Sequence, residues 1–310
     1  MNLFAFGLGY SATHFVRRHR HRFETIAGTT TSPEKAAALR ADGIEPLMFD
    51  GASADLGIAS ALTGADAVLV SIPPDAEGDP TLRYFAAAIA AVPRLAWIGY
   101  LSTVGVYGDH GGGFVDEDTP ARPVSARSRE RLAAENAWLD LGGRSGKPVH
   151  VFRLAGIYGP GRNALAQLRA GTARRIGKPG QVFNRIHVED IAAVLAASIA
   201  RPRAGAVYNL ADDEPAPPQD VVAYAAGLAG IAPPTTVAYA EARLTGMAAS
   251  FWGECKRVSN RRIKDELGVA LSYPSYREGL AALHAAGEGG VPVRRRDGSR
   301  PARNGRCSAG

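Results

Sequence analysis

Hydrophobic positions in this chain come as short continuous runs separated by amphipathic stretches, and that alternation predicts a layered α/β protein. Apolar runs at 2–6, 23–28, 44–49, 67–72, 95–101, 148–154 and 206–210 predict strands. Helical spacing of apolar positions appears at 14–20, 33–41, 53–62, 80–92, 124–141 and 188–199. The run at 67–72 is closed by Pro73 and Pro74 and shows no polar face, which suits a strand covered on both sides. Pro46 interrupts the run at 44–49 and places that strand near a sheet edge. Strand and helix alternating at this spacing predict a doubly wound parallel sheet with right-handed crossovers. Beyond residue 161 the rhythm loosens into a helix at 165–171, a short strand at 181–184 and two or three helices ending near 284.

Between the first strand and the first helix stands Gly7-Leu8-Gly9-Tyr10-Ser11-Ala12. In such a turn Gly7 permits the sharp bend, Gly9 lets backbone approach a pyrophosphate, and Ala12 lets the helix pack close to the strand. The amides of Tyr10, Ser11 and Ala12 would face the phosphates. The order strand, glycine turn, helix opens a Rossmann unit, although glycine turns that bind nothing look the same. The expected organisation is a Rossmann-type NAD(P)-binding domain over 1–160, with 181–212 partly interleaved with it, and a smaller substrate-facing subdomain over 161–286. Residues 287–310, rich in Gly, Pro, Ser and Arg, are expected to be a disordered basic tail.

Composition narrows the classes. At 310 residues and 46% hydrophobic the chain can bury a large core. No run approaches the length of a membrane span, and the chain enters a strand at once, so a cytoplasmic protein without signal peptide or membrane contact is expected. Cys255 and Cys307 supply neither a disulfide framework nor a metal cluster, so no metal site is expected. The net charge is +6, but six arginines lie beyond residue 293 against Glu288 and Asp297, so most of that excess sits in the tail. The remainder is too nearly neutral for a nucleic-acid partner. A small-molecule ligand is expected instead, and a homodimer is left open.

Five stretches, the glycine turn among them, carry a family resemblance: Gly7-x-Gly9-x-x-Ala12, Leu101-Ser-Thr-Val-Gly-Val-Tyr-Gly108, Arg131-Leu-Ala-Ala-Glu135, Arg153-Leu-Ala-Gly-Ile-Tyr-Gly-Pro-Gly161 and Arg185-Ile-His-Val-Glu-Asp190. Their succession resembles extended short-chain dehydrogenase/reductases of the NAD-dependent epimerase/dehydratase type, over roughly residues 1–285. The resemblance implies a nicotinamide dinucleotide held by the first half and a substrate, such as a nucleotide-sugar or similar anionic metabolite, held by the second. It also implies that Asp50 meets the adenine amino group, that Ser71 lines the adenosine side, and that Thr103 is the catalytic hydroxyl. The family's Tyr-x-x-x-Lys pair is missing. Arg127 and Arg131 occupy those positions, and no tyrosine here is followed by lysine four residues on.

That departure has chemical weight. A phenol beside an ammonium can exchange a proton, and one helical turn puts both on the same face. A guanidinium stays charged and has no acceptor, but two of them can clamp a phosphate or carboxylate. Arg127 and Arg131 are therefore candidate substrate-binding residues, with a solvated charged face as the alternative. Tyr158 is the candidate acid or base, with plain aromatic packing as the alternative, Tyr100 and Tyr107 being the other phenols near the site. His187, at a helix start, reads as structural. At the end of the second strand Thr30, Thr31 and Ser32, with Lys35 and Arg40 beyond, stand where NAD sites offer a carboxylate; this favours NADP over NAD, unless these residues only make a turn and helix cap. Two functions stay open: an NAD(P)-dependent oxidoreductase or epimerase-like enzyme with non-standard catalytic groups, and a dinucleotide-binding sensor without catalysis.

Overall fold

In the computed structural model, which describes residues 1–53 and 55–289 (for Met247, the backbone alone), strands and helices alternate through most of the chain. β1 (Asn2–Phe6), α1 (Tyr10–Arg18), β2 (Thr25–Thr30), α2 (Pro33–Ala41), β3 (Glu45–Met48), α3 (Leu56–Leu62), β4 (Ala67–Val70), α4 (Pro80–Ala91) and β5 (Trp97–Thr103) come first. The short β6 (Phe114–Val115) precedes the long α5 (Ala126–Ser145), then β7 (Val149–Leu154), β8 (Gly156–Tyr158), α6 (Ala164–Arg169), β9 (Arg175–Gly177) and β10 (Arg185–His187). The chain continues through α7 (Val188–Ala200), β11 (Ala206–Leu210), α8 (Pro218–Leu228), β12 (Thr236–Ala238), α9 (Gly246–Trp252), β13 (Arg257–Val258), α10 (Arg261–Asp265) and α11 (Tyr276–Ala285).

Seven strands form one parallel sheet in the order β11-β7-β5-β4-β1-β2-β3. β1 is central, and its alternation is read on both faces: Leu3 and Ala5 point into one apolar layer, Phe4 and Phe6 into the other. β4, entirely buried, divides likewise into Ala67 and Leu69 on one side, Val68 and Val70 on the other. Pro46 sits in β3, an edge strand paired with β2 alone, where a missing N–H costs no ladder bond on the open side.

Several boundaries differ from the sequence pattern for local reasons. α1 begins four residues earlier than the apolar spacing shows, because helix starts directly after Gly9. β2 runs on through Thr29 and Thr30, two buried threonines that hydrophobicity alone leaves out. α3 starts late, at the carboxylate of Asp55, which accepts from the amides of Gly57 and Ile58. The expected strand at 181–184 is displaced to β10, which pairs in parallel with β8; Asn184 just before it uses its side chain instead, donating to the Lys256 carbonyl and accepting from Val258 N–H.

Outside the sheet a third apolar cluster joins Tyr158 and Leu165 to residues of α8 and α11. It lies beyond the C-terminal ends of β5 and β7 and forms the far wall of the cleft described next. Among the described residues no helix is long and apolar enough to cross a membrane. The expected tail begins too early: Glu288 and Gly289 are in contact with the folded body, Glu288 accepting from Gly161 N–H and a Cβ on Gly289 meeting Leu165 at 3.0 Å. Residues 290–310 lie outside the described residues.

Candidate active site

A parallel sheet carries the C-terminal ends of all its strands on one edge, and ligands bind outside that edge. Here the ends of β1, β4, β5 and β7 open on one cleft of about 760 Å³. Its first wall is the glycine turn. Gly7 has φ +82°, and a Cβ there would meet Ile72 Cγ1 at 2.8 Å, so protein packing by itself demands glycine. Gly9 is different: a Cβ there would find only Ser71 Oγ, at 3.8 Å, which leaves a cradle that nothing in the protein fills. α1 begins at that cradle with no side chain capping its amides and no acidic residue in its first turn. Unpaired amides and the helix dipole together favour an anion there.

The turn is braced by two hydroxyls. Thr29 Oγ1 accepts from Gly7 N–H at 2.8 Å while its carbonyl accepts from Leu8 N–H at 2.9 Å, and Ser71 Oγ donates to the Gly7 carbonyl. Gly9, Tyr10, Ser11, Ala12 and Ser71 line the cleft, and Gly7 is not part of the lining. Thr30, Thr31, Ser32 and Asp50, expected around the adenosine end, are not part of this lining and sit at or just past the ends of β2 and β3. Two of their hydroxyls serve local structure. Thr30 Oγ1 accepts from Ser32 N–H at 3.3 Å, and Ser32 Oγ caps α2 by accepting from Lys35 N–H while donating to Glu34. Thr31 and Asp50 are exposed, Asp50 accepting from Ala52 N–H.

The second wall is the end of β5. Thr103 lines the cleft, its Oγ1 accepting from Gly105 N–H at 3.1 Å, which leaves its O–H to donate outward. Beside it Ser102, a residue that sequence reasoning passed over, donates to the carboxylate of Glu135. Glu135 is 1% exposed and held by Arg153 through Nε and Nη2, the latter at 2.8 Å. Arg153 also donates to Tyr107 Oη at 3.0 Å, and Tyr107 donates to Asn209 Oδ1 at 2.7 Å. A chain of buried, charge-assisted hydrogen bonds therefore stands directly behind the two hydroxyls at the strand end.

α5 carries the two arginines. Arg127 lies on the exposed side and lines the cleft. Arg131 is only partly the expected clamp: it is 9% exposed, and its Nη1 donates to the Leu101 carbonyl at 2.9 Å and to Tyr100 Oη at 3.1 Å. It touches the cleft but is anchored in the wall.

Tyr158 fails as acid or base. Its ring packs against His187 at 5.0 Å, its hydroxyl donates to the Ser275 carbonyl, and burial pushes its ionisation far above the ordinary phenol range. Tyr100 and Tyr107 are committed too, to Arg131, Arg153 and Asn209, and burial raises both. His187 is the structural residue expected: Nδ1 accepts from Glu189 N–H at the start of α7, and burial brings it down to about 4. Asp190 binds the amides of Ser272 and Tyr273, tying α7 to the segment before α11.

The far wall adds groups that no local pattern reveals. Lys256, 5% exposed, lines the cleft and donates to the Gly108 carbonyl at 2.7 Å and to Glu254 at 2.6 Å. It arrives from nearly 150 residues along the chain, and only folding brings it here. Among the described residues the lining holds five arginines and one lysine against a single carboxylate, Glu254. No group of three or more His, Cys, Asp or Glu able to hold a metal occurs among the described residues.

Comparison with known proteins agrees with this geometry. The sequence profile of the "NAD dependent epimerase/dehydratase family" matches residues 81–211. Protein YeeZ of Escherichia coli strain K12 is 29% identical over 279 residues, covering 86% of this chain and 94% of that protein. A functionally unknown conserved protein from Silicibacter pomeroyi DSS is 52% identical, with a TM-score of 0.84 over 93% of this chain and 99% of that one. The dTDP-glucose 4,6-dehydratase of Bacillus anthracis str. Ames, solved in complex with NAD, shares the fold at 18% identity, with a TM-score of 0.76 over 93% of this chain and 97% of that one. With the glycine turn, the β5 hydroxyls and the parallel sheet in their places, the chain matches the NAD dependent epimerase/dehydratase family over residues 81–211 and shares the fold of the dTDP-glucose 4,6-dehydratase.

Proposed function

We propose that this chain is a nicotinamide-dinucleotide-dependent oxidoreductase or epimerase-like enzyme acting on a nucleotide-sugar or a similar anionic metabolite. The observation that carries the reading is the Gly9 cradle at an uncapped helix start, opening into the same cleft as Thr103 and the cluster of cations. The residues fit the cofactor. Backbone amides of α1 would hold its pyrophosphate, and when bound it would supply or accept a hydride. Thr103 would orient a substrate oxygen through its remaining O–H, and the arginines would hold the substrate's negative charge. The absence of a carboxylate among Thr30, Thr31 and Ser32 supports NADP over NAD.

Proton transfer needs a group other than the missing phenol. Lys256 has two of its three N–H donors committed, to Gly108 and Glu254, and the third would hold or pass a proton at a substrate oxygen. Lys256→Met should then cut turnover by about 100-fold or more with NADPH affinity nearly unchanged. Equal turnover in the variant would remove Lys256 from the chemistry. The second reading, a sensor that binds the dinucleotide without turning it over, draws on two observations: Arg127 and Arg131 stand where a Tyr and Lys would, and the phenols of Tyr100, Tyr107 and Tyr158 are committed. Tight NADPH binding with no oxidation across nucleotide-sugars and small carbonyl compounds would decide for it.

A further inference from the structure

We propose that Glu288, near the end of the described residues, is a positioning residue for the glycine-turn wall of the cleft, acting through the 159–163 turn and Tyr10. The inference rests on the dinucleotide reading only for its affinity readout.

The turn 159–163 forms the part of the cleft that faces the start of α1, and Arg162 and Asn163 line it. Its backbone is unusual: Gly159 has φ +156° and Gly161 φ +70°. A Cβ on Gly159 would meet Val188 Cγ1 at 2.6 Å and Tyr10 Oη at 2.7 Å, so the turn lies directly against Tyr10. Tyr10 is the first residue of α1, adjacent to the Gly9 cradle, and its hydroxyl donates to the Pro160 carbonyl at 3.0 Å. The guanidinium of Arg162 sits over the Tyr10 ring, 5.7 Å from its centre. The contact between turn and helix start is thus both polar and aromatic.

The turn is also held by a carboxylate. Glu288 Oε1 accepts from Gly161 N–H at 2.5 Å, and Oε2 accepts from Asn163 Nδ2. Asn163 in turn donates to the Gly159 carbonyl at 2.8 Å and caps α6 by accepting from Ala166 N–H at 2.9 Å. One carboxylate therefore closes the turn at two points, near enough to Tyr10 for its charge to act on the phenol. Gly289 follows at once, where a Cβ would meet Leu165 at 3.0 Å, which seats this segment on α6. A two-glycine turn has much conformational entropy to lose, and an anion accepting two donors is the kind of partner that offsets it. The link runs from Glu288 to the turn, from the turn to Tyr10, and from Tyr10 to the amides beside Gly9.

The test uses the full chain and reads hydrogen exchange by mass spectrometry beside NADPH titration calorimetry. Glu288→Ala should raise amide exchange about tenfold over 159–163, and measurably over 10–13, and should weaken NADPH about 3- to 10-fold, with Glu288→Gln in between. Tyr10→Phe should weaken NADPH similarly, and adding Glu288→Ala to it should cost little more, because both act through one turn. A chain ending after Gly289 should behave as wild type, and one ending after Ala286 like Glu288→Ala. Unaltered exchange over 159–163 or over 10–13 in Glu288→Ala would overturn the proposal, as would raised exchange with unaltered NADPH affinity. If the wild-type chain binds no NADPH or NADH, the proposed function falls, while the exchange over 10–13 still decides whether Glu288 positions the helix start.

Discussion

Arg131 donates from Nη1 to the carbonyl oxygen of Leu101 at 2.9 Å, which fixes a guanidinium against the end of β5, two residues before Thr103. The fourth residue before it on the same helix, Arg127, has an exposed side chain over the same cleft. The two arginines should therefore separate in experiment. Arg131→Met should lower stability by about 1–3 kcal/mol, since the buried Leu101 carbonyl loses its charged donor. Arg127→Ala should change stability by about 0.5 kcal/mol or less and raise the Michaelis constant for an anionic substrate. Chemical denaturation and steady-state kinetics on both variants check this; equal stability losses would show that Arg127 is anchored like Arg131.

Gly7 and Gly9 should likewise part company. Gly7→Ala places a Cβ 2.8 Å from Ile72 at φ +82° and should destabilise the fold by about 1–3 kcal/mol. Gly9→Val fills the open cradle and should leave the melting temperature nearly unchanged while abolishing dinucleotide binding in calorimetry. A Gly9→Val protein that still binds NADPH would move the site away from the helix start.

Arg153 and Glu135 form a buried pair, and removing one partner strands the other's charge. Arg153→Met should cost about 3–5 kcal/mol, with the double change Arg153→Met/Glu135→Leu recovering much of that loss. Urea unfolding measures both. A double variant no better than the single one would mean that Ser102 and Tyr107 need the pair for more than charge balance.

Two buried groups give opposite pH dependence. Burial brings His150 down to about 4; its Nε2 accepts from Arg203 N–H and its Nδ1 faces Ser198, so the neutral ring is the one that fits. The unfolded imidazole takes up a proton near 6.5, so the stability that His150 contributes is complete above about 6.5 and falls by about 1.4 kcal/mol per pH unit on the way down to 4. Asp212 runs the other way. Burial, opposed by Arg185 and by a backbone hydrogen bond from Glu214, raises it to about 8. Its contribution is present below about 4 and is lost as pH rises toward 8. Relative to wild type, Asp212→Asn should gain stability steadily from pH 4 to 8, and His150→Gln should lose the advantage of high pH. Denaturation at pH 5, 6.5 and 8 reads both, and parallel curves for Asp212→Asn and wild type would place that carboxylate in contact with solvent.

The strand and helix order was legible in the sequence because each buried strand is a short apolar run and each crossover helix has one apolar face, features that depend on neighbours within a few residues. The glycine turn was legible for the same reason, since strand, Gly7, Gly9 and helix start are contiguous. The Leu101–Gly108 pattern drew attention to Thr103, which ends β5 and lines the cleft. Tyr158 was misread, since its position beside a glycine-rich turn says nothing about a hydroxyl turned to the carbonyl of Ser275, more than a hundred residues on. Lys256, Glu254 and Glu288 left no local signal at all. Their roles come from hydrogen bonds and ion pairs, which need two groups within about 3 Å, and only the tertiary fold decides which distant groups come that close.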